Sequence, residues 1–175
     1  MIEFLTVTRA ELEPVLGFLV DLPERVTMDA LPGIVGRLGW TLQTRRVGIT
    51  SLPVSLKIFL AGDLDNPGGN GELVSLSFRI TDTLSDESRA SKRLVASVTP
   101  KMIDVVSSCL GFPPTRPLWA GLGQTWDLPN GKQVNLDQGD DTIVLQVWAK
   151  RRADIERHEI SQGVDPAHDL DDRPS

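Results

Sequence analysis

Between residues 118 and 148 the chain carries the pattern that most limits its fold. Trp126 and Leu128, then Val134 and Leu136, then Ile143, Leu145 and Val147 stand at every second position in three successive segments. A period of two puts alternate side chains on one face of a sheet. Pro129-Asn130-Gly131-Lys132 separates the first segment from the second, and Asn-Gly is a favoured hairpin turn. Gln138-Gly139-Asp140-Asp141 separates the second from the third. The pattern predicts a three-stranded antiparallel meander opening at Gln124–Leu128, with Trp126 and Trp148 packed against helices. A sheet with one apolar face needs such a cover.

The rest of the chain supplies it. Thr8-Arg9-Ala10-Glu11 has the form of a capping box, and Leu12, Val15, Leu16 and Leu19 follow at helical spacing, so a helix runs to about Val20. Thr27 can cap a second helix bearing Leu31, Ile34, Val35 and Leu38, stopped by Gly39. Ser85, before Asp86 and Glu87, opens a third with Leu94, Val95 and Val98 inward. Thr99-Pro100 then predicts a new or kinked helix carrying Met102, Val105, Val106 and Cys109. A last helix is expected over Arg151–Gln162, with Ile155 facing in. Trp40–Thr44 alternates like a strand. Val54–Leu60 and Val74–Ile80, joined by Ala61–Gly71, read as an antiparallel hairpin. The fold class is therefore α+β: an antiparallel sheet built from a hairpin and a meander, with flanking helices. One domain is expected over residues 1–164, followed by an acidic, disordered tail over 165–175.

Composition narrows the function. A chain of 175 residues, 40% of them hydrophobic, can bury a substantial core. No apolar run approaches the roughly 20 residues of a membrane span, and the N-terminus lacks the basic region of a secretory signal. A cytoplasmic protein without membrane contact is the expectation. Cys109 is the single cysteine, which excludes an internal disulfide. The formal charge is −6, and seven acidic residues against Arg157 and Arg173 lie between Asp154 and Ser175. The remainder is close to neutral and has no basic stripe for nucleic acid.

The chemistry on offer is that of a binder. Both histidines, His158 and His168, lie in the acidic C-terminal segment, so a Ser-His-Asp set within the fold is missing. Gly121-x-Gly123 has Trp126 where a dinucleotide fingerprint needs its third glycine, and it opens a strand instead of a helix. The Gly62–Gly71 tip fails as a calcium loop, since counting from Asp63 puts Pro67 at position five and Val74 at position twelve. It also fails as a phosphate loop, having no lysine and feeding a strand. Cys109 reads as a small core residue. No catalytic residue, metal ligand or cofactor site is expected.

Trp119-Ala120-Gly121-Leu122-Gly123-Gln124 is the strongest binding element. Either Trp119 packs in the core while the glycines make a bulge, or this flexible, nearly uncharged loop enters a cleft on another protein. In the second case Trp119 and Leu122 are the anchors, Gly121 and Gly123 shape the loop, and Gln124 offers an amide. Asp65 and Asn66, in the hairpin tip, are a second candidate contact.

These motifs also carry a likeness. The capped first helix is followed by Leu38-Gly39-Trp40-Thr41, Gln124-Thr125-Trp126-Asp127-Leu128-Pro129-Asn130-Gly131, Ala153-Asp154-Ile155-Glu156 and Gly163-Val164-Asp165-Pro166. On these, over essentially its whole length, the chain resembles an actinobacterial family of small cytosolic proteins without enzymatic motifs, that of the mycobacterial immunity factors for the tuberculosis necrotizing toxin. The resemblance implies an antitoxin that binds a cognate NAD glycohydrolase toxin domain, 1:1, and covers its NAD site. Its motifs are structural and transfer no contact residues, so the toxin-binding set is the one read above: Trp119, Gly121, Leu122, Gly123, Gln124, Asp65 and Asn66. The alternative is a non-enzymatic secretion chaperone or adaptor, which would bind an effector and leave its activity intact.

Overall fold

The period-two segments pair as their turns require, and the hairpin joins the meander edge to edge. A computed structural model describes residues 4–39, 41–43, 47–49, 57–59 and 73–166. In chain order these form α1 (Arg9–Val20), a 3-10 turn (Met28–Ala30), α2 (Leu31–Arg37), β1 (Thr41–Gln43), β2 (Val47–Ile49), β3 (Lys57–Phe59) and β4 (Ser75–Arg79). Then come α3 (Arg89–Leu110), β5 (Arg116–Pro117), β6 (Gly123–Asp127), β7 (Gln133–Gln138), β8 (Ile143–Trp148) and α4 (Lys150–Ser161). The strands make one antiparallel sheet in the order β1-β2-β3-β4-β8-β7-β6-β5. The fold is α+β, with helices flanking the sheet.

Register decides which residues are core. Trp126 pairs with Val134, Val134 with Val147, Leu136 with Leu145, and Leu145 with Phe78. These side chains share one face and are buried. Leu12, Leu16 and Leu19 of α1, Leu31, Ile34 and Val35 of α2, and Val95, Met102 and Val106 of α3 complete the same core. The capping box of α1 forms as the sequence predicts, with Thr8 and Glu11 satisfying each other's backbone N–H groups.

Five local expectations need correction. Thr27 does not cap α2: it leads into the 3-10 turn, and Ala30 stands at the N-cap with Pro32 in the first turn. The third helix starts at Arg89, capped by Ser88, whose oxygen accepts from the Ser91 N–H at 3.2 Å. Asp86 stays outside, accepting from the Ser88 N–H and the Ser91 hydroxyl. Pro100 neither starts nor divides a helix, because α3 runs through it for 22 residues. Packing outweighs the lost hydrogen bond there, with Val95, Met102 and Val106 fully buried around it. The buried stripe of α3 is Ser91, Val95, Thr99, Met102 and Val106, which leaves Leu94 on the exposed side.

The opposite face of the sheet is polar, and that explains the fifth correction. Gln133, Asn135 and Asp137 of β7 alternate with the core residues, as do Val144, Gln146 and Trp148 of β8. α4 lies on this face and turns Ala153 and Glu156 inward. Ile155 therefore does not face in; it is 55% exposed. Trp148 packs against α4, half-buried, while Trp126 fills the core on the other side.

These assignments separate two positions of α3 by burial alone. Met102→Ala is expected to cost about 2–5 kcal/mol in chemical denaturation. Leu94→Ala, on the exposed side, should cost less than about 1 kcal/mol. Equal losses would mean that the helix is docked by another face.

Candidate functional site

The polar face is organised by one buried carboxylate. Glu156 of α4 accepts from Arg116 of β5 and, at 2.9 Å, from the Gln133 side-chain amide. Arg116 also donates to Gln133 at 3.2 Å, so the amide is oriented from both ends. That fixes Asn135, whose carbonyl accepts from Gln133 at 3.0 Å and from the Thr125 hydroxyl at 2.7 Å. The next residue of α4, Arg157, donates to Asp127 and to the Gly131 carbonyl at 3.1 and 3.0 Å. A helix with little apolar surface is thereby held to a sheet face with little apolar surface.

At the end of β5 the chain reverses through Leu118–Leu122 before entering β6. The Leu118 N–H donates to the Gly123 carbonyl at 3.1 Å, and the Gln138 N–H donates to the Leu122 carbonyl at 2.7 Å. The segment is thus a pinned knuckle, not the free loop expected from its glycines. Gly123 sits at φ +152, and a Cβ there would lie 1.8 Å from the Leu136 carbonyl oxygen. Only glycine fits. Gly121 sits at φ +124, where a Cβ would come within 3.2 Å of the Asp137 carboxylate. The two glycines let the knuckle fold down on β7. Leu122 is left at the crest, 66% exposed.

The structure divides the predicted residues. Trp119 is half-buried and outside the core cluster, so the core alternative for it does not hold. It lines a concavity of about 430 Å³ on the polar face, together with Leu118, Ala120, Asp137, Gln146 and Trp148. Arg152, Ile155, Glu156 and Glu159 of α4 form the far wall. Gly121, Leu122 and Gly123 make the adjoining crest. Gln124 pairs with Leu136, which places it on the face of α1, α2 and α3, away from Trp119. Asp65 and Asn66 lie outside the described residues.

Sequence reasoning missed Asp137, Gln146, Trp148, Arg152 and Glu159. The alternation alone could not mark them, because Gln133, Asn135, Asp137 and Gln146 also fit the polar side of an ordinary solvent-facing sheet. The Arg152 guanidinium stacks over the Trp148 ring at 4.4 Å from its centroid. Asp137 has no hydrogen-bond or ion-pair partner among the described residues, and burial pushes its carboxyl above the ordinary carboxylate range. Burial likewise pushes the Cys109 thiol up, the opposite of what an attacking thiolate needs. His158 is exposed on α4. Among the described residues no helix is long and apolar enough to cross a membrane.

Comparison with known proteins gives one match. The model of a family of unknown function, DUF6301, covers residues 10–149, and the chain belongs to that family. No curated protein and no solved structure matches the chain. The knuckle, Asp137 and Trp148 lie within the matched residues, whereas α4 lies beyond them.

Asp137 has a consequence for stability. Its pKa is raised in the folded state, so the native protein holds this proton more tightly than the unfolded chain does. The penalty is absent below the unfolded value near 3.8 and appears as the pH rises through and above it. Asp137→Asn should therefore be more stable than the parent at neutral pH, with the advantage vanishing in acid. Denaturation midpoints measured across that range check the sign. An advantage that grew towards acid would show that the carboxylate is stabilised as an anion.

Proposed function

We propose that this DUF6301 protein is a non-enzymatic immunity protein of the cytoplasm, which binds a cognate NAD-degrading toxin domain and covers its NAD-binding site. The observation that carries the reading is Leu122, two-thirds exposed on a backbone pinned from both sides. A large apolar side chain held out on a fixed knuckle is inexpensive to dock, because little loop entropy remains to be lost. Trp119 beside it has the size and amphipathic character of an interface anchor. The family likeness drawn from the sequence supplies the partner class. The near-neutral crest suits the interior of a substrate cleft, and the carboxylates of Asp137 and Glu159 beside it suit the basic residues that a pyrophosphate site requires. Exclusion of NAD would take an interface of roughly 1,600 Å² in total.

NAD consumption by the toxin domain, measured with and without this protein, tests the reading. Turnover should be abolished at stoichiometric excess. A stable complex with turnover intact would favour an adaptor or secretion chaperone instead. Leu122→Asp changes an exposed side chain, so it should fold normally and raise the half-inhibitory concentration at least tenfold. Parental inhibition by that variant would remove the crest from the interface.

A further inference from the structure

The concavity behind the crest has a chemistry that docking of Leu122 leaves unused. It is lined by two indoles, Trp119 and Trp148, and by Asp137, whose carboxylate lies close to Gly121. Three carboxylates line it against one guanidinium, that of Arg152. Glu156 is paired with Arg116, and Arg152 keeps its charge over the Trp148 ring, so two further carboxylates, Asp137 and Glu159, stand against that one guanidinium. What remains unmatched is Asp137, with Glu159 at the rim. A partly buried carboxylate without a partner, in a concavity that two indoles also line, is costly for the free protein and favourable for a cation that both groups can hold. Arg152 shows the mode in miniature: a guanidinium already sits over one of these indoles. A volume of about 430 Å³ is ample for a further arginine side chain and too large to be explained as a packing defect.

We propose that this concavity receives an arginine side chain of the partner, its guanidinium pairing with Asp137 while its plane lies against Trp119. Arginine suits the site better than lysine because a planar, weakly hydrated guanidinium can stack and donate in a fork at once. The raised affinity of Asp137 for a proton in the empty protein accords with this, since an incoming cation would relieve the same desolvation. The assignment rests on the immunity reading for the identity of the partner, a toxin that would need basic groups to hold the pyrophosphate of NAD. The recognition itself does not need the toxin.

The test uses the full chain and a minimal probe, N-acetyl-arginine methylamide, followed through the indole N–H signals of Trp119 and Trp148. A saturable shift with a millimolar Kd is expected. The uncharged citrulline analogue should give none, and Asp137→Asn, which is isosteric and removes a folded-state penalty, should weaken the probe at least tenfold. Trp119→Leu is the second variant and should weaken it as well. Equal responses to arginine and citrulline, or parental binding by Asp137→Asn, would overturn the site. Its failure would leave toxin inhibition by the Leu122 crest standing. Conversely, if the probe binds but Asp137→Asn inhibits the toxin domain as well as the parent does, the toxin's arginine is not the occupant.

Discussion

The Arg116–Glu156 contact is the one on which the polar half of the molecule depends. Without it nothing apolar of consequence would hold α4, whose inward face is little more than Ala153 and the Glu156 stem. An ion pair of this kind adds little net stability, because both charges leave water to form it. Among the described residues the cluster even leaves donors unpaired: one Arg116 nitrogen and the Asn135 amide nitrogen are buried without a partner. Each costs on the order of 1–3 kcal/mol. The network is therefore better understood as a device for position than for stability. It sets the height of α4 above the sheet and thereby the width of the concavity.

The knuckle follows a related logic. Glycine is usually read as freedom, and Gly121 and Gly123 invite that reading. Here their missing side chains permit closeness instead. The chain comes down on Leu136 and Asp137 so tightly that a Cβ at 123 has no place to go. Two backbone hydrogen bonds then lock the segment, and the exposure of Leu122 follows from geometry, not mobility. Glycine thus converts a connection between two strands into a fixed protrusion.

Much of this was legible in the residues, and the boundary of legibility is physical. The meander, its turns, the capping box and the hairpin pairing all rest on local patterns, and all formed. Pro100 misled because a propensity of about 3 kcal/mol per proline is a local cost that burial of Val95, Met102 and Val106 can outweigh. Ile155 misled because an isolated isoleucine on a charged helix implies an apolar docking face, and the face it meets is polar. The predicted contact residues part company in the fold, with Asp65 and Asn66 outside the described residues. Trp119, Gly121, Leu122 and Gly123 stand together, but Gln124 is turned away by register. Asp137, Trp148 and Arg152 come to the site through pairings and a helix position that no spacing in the sequence encodes.

The two faces of this sheet are not independent, and that ties the candidate site to the core. β7 reads Gln133, Val134, Asn135, Leu136, Asp137, so neighbouring residues serve opposite purposes at every step. Leu136 is fully buried against Leu145, while Asp137 beside it is the unmatched carboxylate of the concavity. A slip of one residue would exchange the sets, driving Asp137 into the apolar layer and Leu136 out of it. The desolvation such an exchange would impose on a carboxylate exceeds any gain the slipped pairing could offer. The same register that makes the core therefore holds Asp137, Gln146 and Trp148 in place, and the site inherits its rigidity from the strongest cooperative element of the fold.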